Sequence, residues 1–101
     1  MSPTQRSIGF LKEQGYFVWR TETWNAFAKI RQDLFGFVDL VALGDGQTIG
    51  IQTTTGDHAA ERVKKIQGHD NLAAVKGAGW SIHVHGWRKL KDGWQVRVIE
   101  I

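Results

Sequence analysis

The sequence predicts an α/β fold of the α+β type, with elements in the order αβββαββ and a mixed central sheet flanked by helices. Three observations predict it. An amphipathic stretch ends at Gly15, two β-rich runs flank a Gly-Asp-Gly turn at 44–46, and two more strand-like runs follow a helical region. With 101 residues, 42% of them hydrophobic, the chain suffices for one core, so residues 1–101 are predicted to form a single domain.

The first predicted elements are a helix and a strand. Ser2 or Thr4 is a candidate cap for a helix running to about Glu13, because these side chains bind the free amides of a first turn. Tyr16–Thr23 is rich in aromatic and β-branched residues, which predicts the first strand. Trp24–Phe35 fits neither periodicity, and we interpret it as a long functional loop.

The next two predicted strands form a hairpin. Phe37–Leu43 is an apolar run interrupted only by Asp39, and Thr48–Thr54 is a second strand-like run after the glycine-rich turn. Side chains alternate along a strand, so Gln52 and Thr54 share one face. The antiparallel hairpin is expected to bring Asp39 toward Gln52.

The C-terminal half predicts one helical region and two strands. Asp57 is a candidate helix cap, Gly68 a candidate interruption and Gly77 a candidate end. Trp80–Trp87 and Trp94–Ile101 have the composition of strands around a turn.

Composition excludes several classes of protein. The chain has no cysteine, which rules out disulfides and thiolate zinc sites. No apolar run approaches the roughly 20 residues of a membrane span, and the N-terminus lacks an apolar signal core. We therefore expect a soluble, cytoplasmic protein without a membrane partner. The net charge of +3 is compatible with a nucleic-acid partner.

Four segments of the chain, taken in order, carry a family resemblance: FLKEQGYFVWR, FVDLVAL, IGIQTTT and GWQVRVIEI. They resemble the PD-(D/E)XK nuclease superfamily, most closely its archaeal Holliday junction resolvase-like branch, over nearly the whole chain. The resemblance implies a restriction-endonuclease-like core and hydrolysis of DNA phosphodiesters, in branched or phage DNA, with Mg²⁺ or Mn²⁺. It also implies a two-fold homodimer and, for a phage-encoded chain, the host cytoplasm.

The family motif is altered in this chain. Asp39 stands at the family's Asp position and Gln52 at its Glu position, so the resemblance makes these two residues the metal ligands. Thr54 occupies the lysine position, where it supplies neither charge nor a proton shuttle. Thr4 or Gln5 occupies the position of an acid on the family's first helix.

Other residues of the chain could compensate for these losses. Glu22 or Asp33 could replace the missing acid, and Lys64 or Lys65 the missing lysine. The alternative is that Glu22 is a solvated strand-end residue and the lysines a solvated helical face. The candidate catalytic residues are Asp39, Gln52, Glu22, Lys64 and Lys65.

Cations and aromatic side chains alternate around the predicted loop, a pattern that suits a surface that binds the DNA backbone. Most of the five Trp and five Phe are expected in the core, with Trp24 and Phe35 partly exposed. The candidate DNA-binding residues are Arg20, Asn25, Lys29, Arg31 and Arg62.

The altered motif leaves enzymatic activity open. Gln52 and Thr54 favour an alternative function, in which a catalytically degenerate nuclease fold acts as a DNA-binding or protein-interaction module. The retained Asp39 favours the nuclease. A protein with no nucleic-acid partner is the third hypothesis.

Overall fold

The computed structural model describes all 101 residues, Met1–Ile101. No helix in it has the length and apolar character needed to cross a membrane. The elements are α1 (Pro3–Glu13), β1 (Phe17–Arg20), β2 (Thr23–Asn25), β3 (Ile30–Gln32), β4 (Leu40–Gly44), β5 (Gln47–Thr55), a short 3-10 helix (Gly56–His58), α2 (Ala59–Gln67), α3 (Leu72–Gly77), β6 (Ser81–Leu90) and β7 (Gly93–Glu100).

Five strands form one mixed sheet in the order β1-β4-β5-β6-β7. Strands β5 and β6 are parallel, and the other neighbouring pairs are antiparallel. A parallel pair needs a crossover connection, and α2 and α3 supply it. The predicted α+β class and mixed central sheet are confirmed.

An apolar cluster covers each face of the sheet, because alternate strand residues point to opposite sides. On one face α1 packs on β4 and β5, through Leu11, Leu40, Ala42, Ile49 and Ile51. On the other face α2 and α3 pack on β6 and on the segment before β4, through Phe37, Val38, Ala59, Ile66, Val75, Ile82 and Val84. The helices therefore flank the sheet as predicted.

Local capping and turn signals act where the sequence indicates. Of the two candidate caps, Ser2 is the N-cap of α1, where it forms a reciprocal capping box with Gln5, and Thr4 is buried. The turn between β4 and β5 has positive φ at both central residues, 52° at Asp45 and 71° at Gly46. Two such residues are what the twist of a tight hairpin requires.

The segment predicted as a long loop forms a separate two-stranded ribbon. Strands β2 and β3 pair only with each other, and β1 ends at Arg20, short of the predicted Thr23. At the turn, the Asn25 side-chain oxygen accepts the N–H groups of Phe27 and Ala28. Three-residue strands are too short to show a period of two, so the sequence pattern does not distinguish this ribbon from a loop.

The helical region after β5 also differs from the prediction. Asp57 does not cap α2, because the 3-10 helix Gly56–His58 intervenes and α2 begins at Ala59 without a side-chain cap. Gly68 does end α2, and α3 is a separate short helix.

The expectation that most aromatic residues are buried is wrong. Among the ten Trp and Phe residues only Phe37 and Trp87 are buried, while Trp24 and Phe35 are exposed as expected. Strand β1 lies at the edge of the sheet, where Phe17 and Trp19 stack on each other with ring centroids 6.3 Å apart. The helices of this 101-residue chain leave both rings exposed.

A buried polar network joins α1 to β6. The indole nitrogen of Trp87 donates to the Ser7 hydroxyl at 2.8 Å, so the Ser7 hydrogen is free to bind the His85 Nδ1 at 2.9 Å. Phe10 packs edge-on against both rings. Burial, together with the neighbouring His83, lowers the pKa of His85 to about 4, so this imidazole is neutral near pH 7.

Candidate active site

Asp39 is a buried acid at the start of β4. Its side chain is 4% exposed and lies between the buried residues Val38 and Leu40. Its Oδ2 accepts the Thr53 backbone N–H at 2.9 Å, the Thr53 hydroxyl at 3.2 Å and the Gln52 amide at 3.4 Å. These donors compensate part of the cost of burying a carboxylate.

Backbone hydrogen bonds bring Glu22 to this acid. The Asp39 carbonyl accepts the N–H groups of Thr21 at 2.9 Å and Glu22 at 3.3 Å. The Thr21 hydroxyl donates to the Val38 carbonyl at 2.9 Å. The chain leaving β1 is thereby held against the start of β4.

A tight turn brings Asp33 to the same place. Leu34 and Val38 form an isolated antiparallel bridge, and the turn between them has positive φ at Phe35 (59°) and Gly36 (92°). The Asn71 side chain donates to the Phe35 carbonyl at 2.9 Å and holds the turn against the helical layer. The turn reverses the chain and places Asp33 beside the acid six residues later.

Three carboxylates consequently meet at one point: oxygens of Glu22, Asp33 and Asp39 all lie within 4.8 Å of one another. Burial, and a hydrogen bond with Asp33, raise the pKa of Asp39 from 3.8 to about 7, although the Thr53 backbone N–H opposes the rise. The site therefore disfavours full ionisation of the cluster in the absence of added positive charge.

The donor set fits a hard divalent cation. Mg²⁺ and Mn²⁺ prefer oxygen ligands, and oxygens on opposite sides of an octahedral Mg²⁺ lie about 4 Å apart. The three carboxylates offer such oxygens within 4.8 Å of one another.

The acids open into a polar cavity of about 370 Å³. Arg31 Nη1 lies 2.8 Å from a Glu22 carboxylate oxygen, and Arg20 Nη2 lies 3.9 Å from the same atom. Three arginines and three carboxylates share the lining, which is Ser2, Pro3, Thr4, Arg20, Glu22, Arg31, Asp33, Asp39, Gln52, Thr53 and Arg62.

A larger cavity of about 640 Å³ lies between α1 and β7, but its chemistry is poor. Its charged residues are Arg6 and Glu13, and the Arg6 guanidinium carbon lies 3.8 Å from the centre of the Trp94 ring. The concentration of titratable groups, and not cavity size, therefore marks the candidate site.

The structure places both candidate replacement acids, but neither candidate lysine, at the cavity. Glu22 and Asp33 both join Asp39. Lys64 and Lys65 are exposed on α2, and neither lines the cavity. Arg62 lines it instead, because it lies one turn before the buried Ile66 and so shares the inward side of the helix.

The three altered family positions have different surroundings. The Gln52 amide nitrogen donates to the carboxylates of Asp33 and Asp39, at 3.3 and 3.4 Å, and its predicted role as a metal ligand stays a prediction. Thr54 is buried and does not line the cavity. The Thr4 hydroxyl lies 2.7 Å from the Thr53 hydroxyl.

Thr53 is a site residue that the sequence did not identify. Strict alternation placed it on the face opposite Gln52, yet its hydroxyl and backbone N–H both reach Asp39. Asp39 precedes the first regular residue of β4, so its side chain is not confined to one face of the sheet.

The candidate DNA-binding residues fall into two groups. Arg20, Arg31 and Arg62 line the cavity. Asn25 and Lys29 lie in the β2–β3 ribbon, where the Asn25 oxygen is occupied by the turn and Lys29 is exposed with a φ of 54°.

Comparisons of the chain with protein-family models, with curated proteins and with solved structures give no match. A statement about function therefore depends on the chemistry of the cavity and of the surface around it.

Proposed function

We propose that the protein is a metal-dependent endonuclease that hydrolyses DNA phosphodiesters at the acidic cavity. The observation that carries the proposal is the meeting of Glu22, Asp33 and Asp39, from three separate segments, in a cavity that also holds three arginines. Clustered carboxylates bind Mg²⁺ or Mn²⁺, and arginines bind phosphate. The mixed sheet and the resemblance to PD-(D/E)XK nucleases support a restriction-endonuclease-like core.

Each group of residues has a distinct role in this proposal. Glu22, Asp33 and Asp39 would hold the Mg²⁺ or Mn²⁺ ion, which when bound polarises a phosphoryl oxygen and lowers the pKa of bound water. Thr53 and Gln52 orient the Asp39 carboxylate through their hydrogen bonds.

The arginines supply positive charge for the phosphate. Arg62 takes the place of the family's lysine as the cation that α2 directs into the cavity. A guanidinium stays protonated, so it stabilises developing charge on the phosphate but does not carry a proton. Removal of the proton from the attacking water then falls to the carboxylates.

Cleavage assays test the proposal directly. Supercoiled plasmid and a four-way DNA junction are incubated with the protein in Mn²⁺, Mg²⁺ or EDTA. We expect nicking with either metal and none in EDTA. Glu22→Gln should abolish nicking, whereas Asp45→Asn, which changes an exposed acid in the β4–β5 turn, should not. No cleavage with either metal would overturn the nuclease.

Arg62 and Lys64 form a matched pair on α2. We expect Arg62→Ala to slow single-turnover cleavage about 100-fold, as removal of one preorganised charge stabiliser does in other enzymes. Lys64→Ala should change the rate less than about twofold, because this side chain is exposed and lies outside the cavity. Equal effects of the two substitutions would contradict the role given to Arg62.

One observation favours a second candidate function, a degenerate nuclease fold that only binds DNA. The cavity already holds three arginines beside its three carboxylates, and Arg31 is paired with Glu22 at 2.8 Å. DNA binding that persists in EDTA, without cleavage in Mn²⁺, would support this module. The two-fold dimer and the cytoplasmic location stay predictions.

A further inference from the structure

The β2–β3 ribbon exposes large apolar side chains beside the acidic cavity. Trp24 is 62% exposed, Ile30 51%, and Phe27 at the tip is fully exposed. The ribbon pairs with no strand of the main sheet, and two strands alone bury little apolar area. These side chains therefore contribute little to the core, and their apolar surfaces are available to a ligand.

The charges of the ribbon indicate an anionic partner. Residues 23–32, TWNAFAKIRQ, contain Lys29 and Arg31 and no acid. Cations that flank exposed aromatic rings, with no acid between them, are complementary to a phosphate backbone that carries unpaired bases.

The register of the ribbon places Trp24 on the same face as a residue that lines the cavity. Trp24 lies directly opposite Arg31, so the two side chains share one face of the ribbon. The Arg31 guanidinium contacts Glu22 and lines the cavity. Trp24 consequently shares a face of the ribbon with a residue that borders the acidic cluster.

The tip of the ribbon is preorganised. The Asn25 oxygen accepts two backbone N–H groups, at 3.0 Å from Phe27 and 3.1 Å from Ala28. This side-chain turn holds the backbone beneath the exposed Phe27 ring, and a surface fixed before binding loses less entropy when a ligand binds.

We propose that the β2–β3 ribbon is a stacking platform for unpaired bases, so that the substrate is DNA with a single-stranded segment. This inference rests on the proposed function. Every base has a π-face that can stack on an aromatic ring, whereas bases inside an intact duplex are inaccessible to Trp24 and Phe27. Lys29 and Arg31 would contact the phosphates of the same strand.

The test measures binding without cleavage, in EDTA, so that it does not depend on nuclease activity. Affinities for a 20-nucleotide oligo(dT) and for a 20-base-pair duplex are compared between the wild type and Trp24→Ala. We expect Trp24→Ala to weaken oligo(dT) binding about tenfold and duplex binding less than about twofold. Trp24→Phe, which keeps an aromatic ring, should restore most of the affinity, and circular dichroism checks that each variant is folded.

Trp19→Ala is the matched control. Trp19 is 66% exposed, a fraction similar to the 62% of Trp24. Its neighbour Arg20 lines the cavity, so alternation along β1 points Trp19 to the opposite face of the sheet. Its loss should leave both affinities unchanged.

Three outcomes would overturn the platform: no loss of affinity in Trp24→Ala, equal loss for single strand and duplex, or a wild type that binds neither DNA. In the last case a protein partner or a lipid surface would be the occupant of the ribbon. Selective single-strand binding in a protein that never cleaves would instead overturn the nuclease and leave the platform standing.

Discussion

Asp39→Asn is expected to reduce metal-dependent DNA cleavage by about 100-fold or more while making the folded protein more stable at pH 8. Cleavage falls because the cluster loses its buried carboxylate charge. Stability rises because burial and Asp33 raise the pKa of Asp39 from 3.8 to about 7, so the ionised side chain opposes folding. Because a pKa shift of one unit corresponds to about 1.36 kcal/mol, the gain in the free energy of unfolding has an upper bound of roughly 4 kcal/mol.

The sign of this effect sets its pH window. The folded state keeps the Asp39 proton to a higher pH than the unfolded state, so this residue's contribution to stability is complete below about pH 4 and is lost as pH rises toward 7. Asparagine has no such dependence. Urea unfolding in EDTA should therefore give similar free energies for wild type and variant at pH 4 and different ones at pH 8.

Added Mn²⁺ supplies a separate readout. It should raise the unfolding midpoint of the wild type, and not that of Asp39→Asn, because only the wild type offers three carboxylates to the ion. Asp45→Asn is the control, since an exposed acid in a left-handed turn position is replaced by a residue that tolerates that conformation. Cleavage at the wild-type rate by Asp39→Asn would contradict the role of Asp39 in metal binding.

Acidification is expected to destabilise the protein through His85, by an amount of roughly 3 kcal/mol at most between pH 6.5 and 4. Burial lowers the pKa of His85 from 6.5 to about 4, so the unfolded state binds the proton first. The His85 contribution is complete above pH 6.5 and is lost as pH falls toward 4. Half-buried His83 has a lowered pKa for the same reason, and Glu100 opposes it.

The Asp39 and His85 contributions have opposite signs in the same pH range, and they partly cancel in the wild type. The His85 contribution is therefore measured in the Asp39→Asn variant, whose free energy of unfolding should fall steadily from pH 6.5 to 4. Adding His85→Gln should flatten this slope, and His58→Gln, at an exposed position, should not. If His85→Gln does not fold, the NMR titration of His85 decides, and a pKa above about 6 would contradict the account.

Much of the fold was predictable because its signals are local. A cap at Ser2, glycines at 15 and 46, and apolar runs of five or more residues act within one turn or one strand. Signals failed where elements were too short to repeat their own period more than once. Thr23–Asn25 and Ile30–Gln32 have three residues each, and nothing in their composition separates a ribbon from a loop.

The aromatic residues show a second limit. Composition predicts that Trp and Phe fill a core, but it does not say how much surface the helices can cover. Phe17, Trp19, Trp24 and Phe27 lie on an edge strand and on a ribbon, where no layer packs over them. Their exposure follows from topology, and it is the observation on which the stacking platform depends.

The sequence by itself determined the α+β class, the β4–β5 hairpin and the single acid in an apolar run, Asp39. A carboxylate at such a position needs a hydrogen-bond partner, a counter-charge or a metal ion. Only the tertiary structure decided that Glu22 and Asp33 both join it and that Arg62, not Lys64 or Lys65, faces the cavity. The physical reason is that these side chains meet through hydrogen bonds between distant segments, such as those from Thr21 and Glu22 to the Asp39 carbonyl. Periodicity in the sequence indicates which side of an element a residue occupies. The composition of a site also depends on which elements pack together, and periodicity does not indicate this.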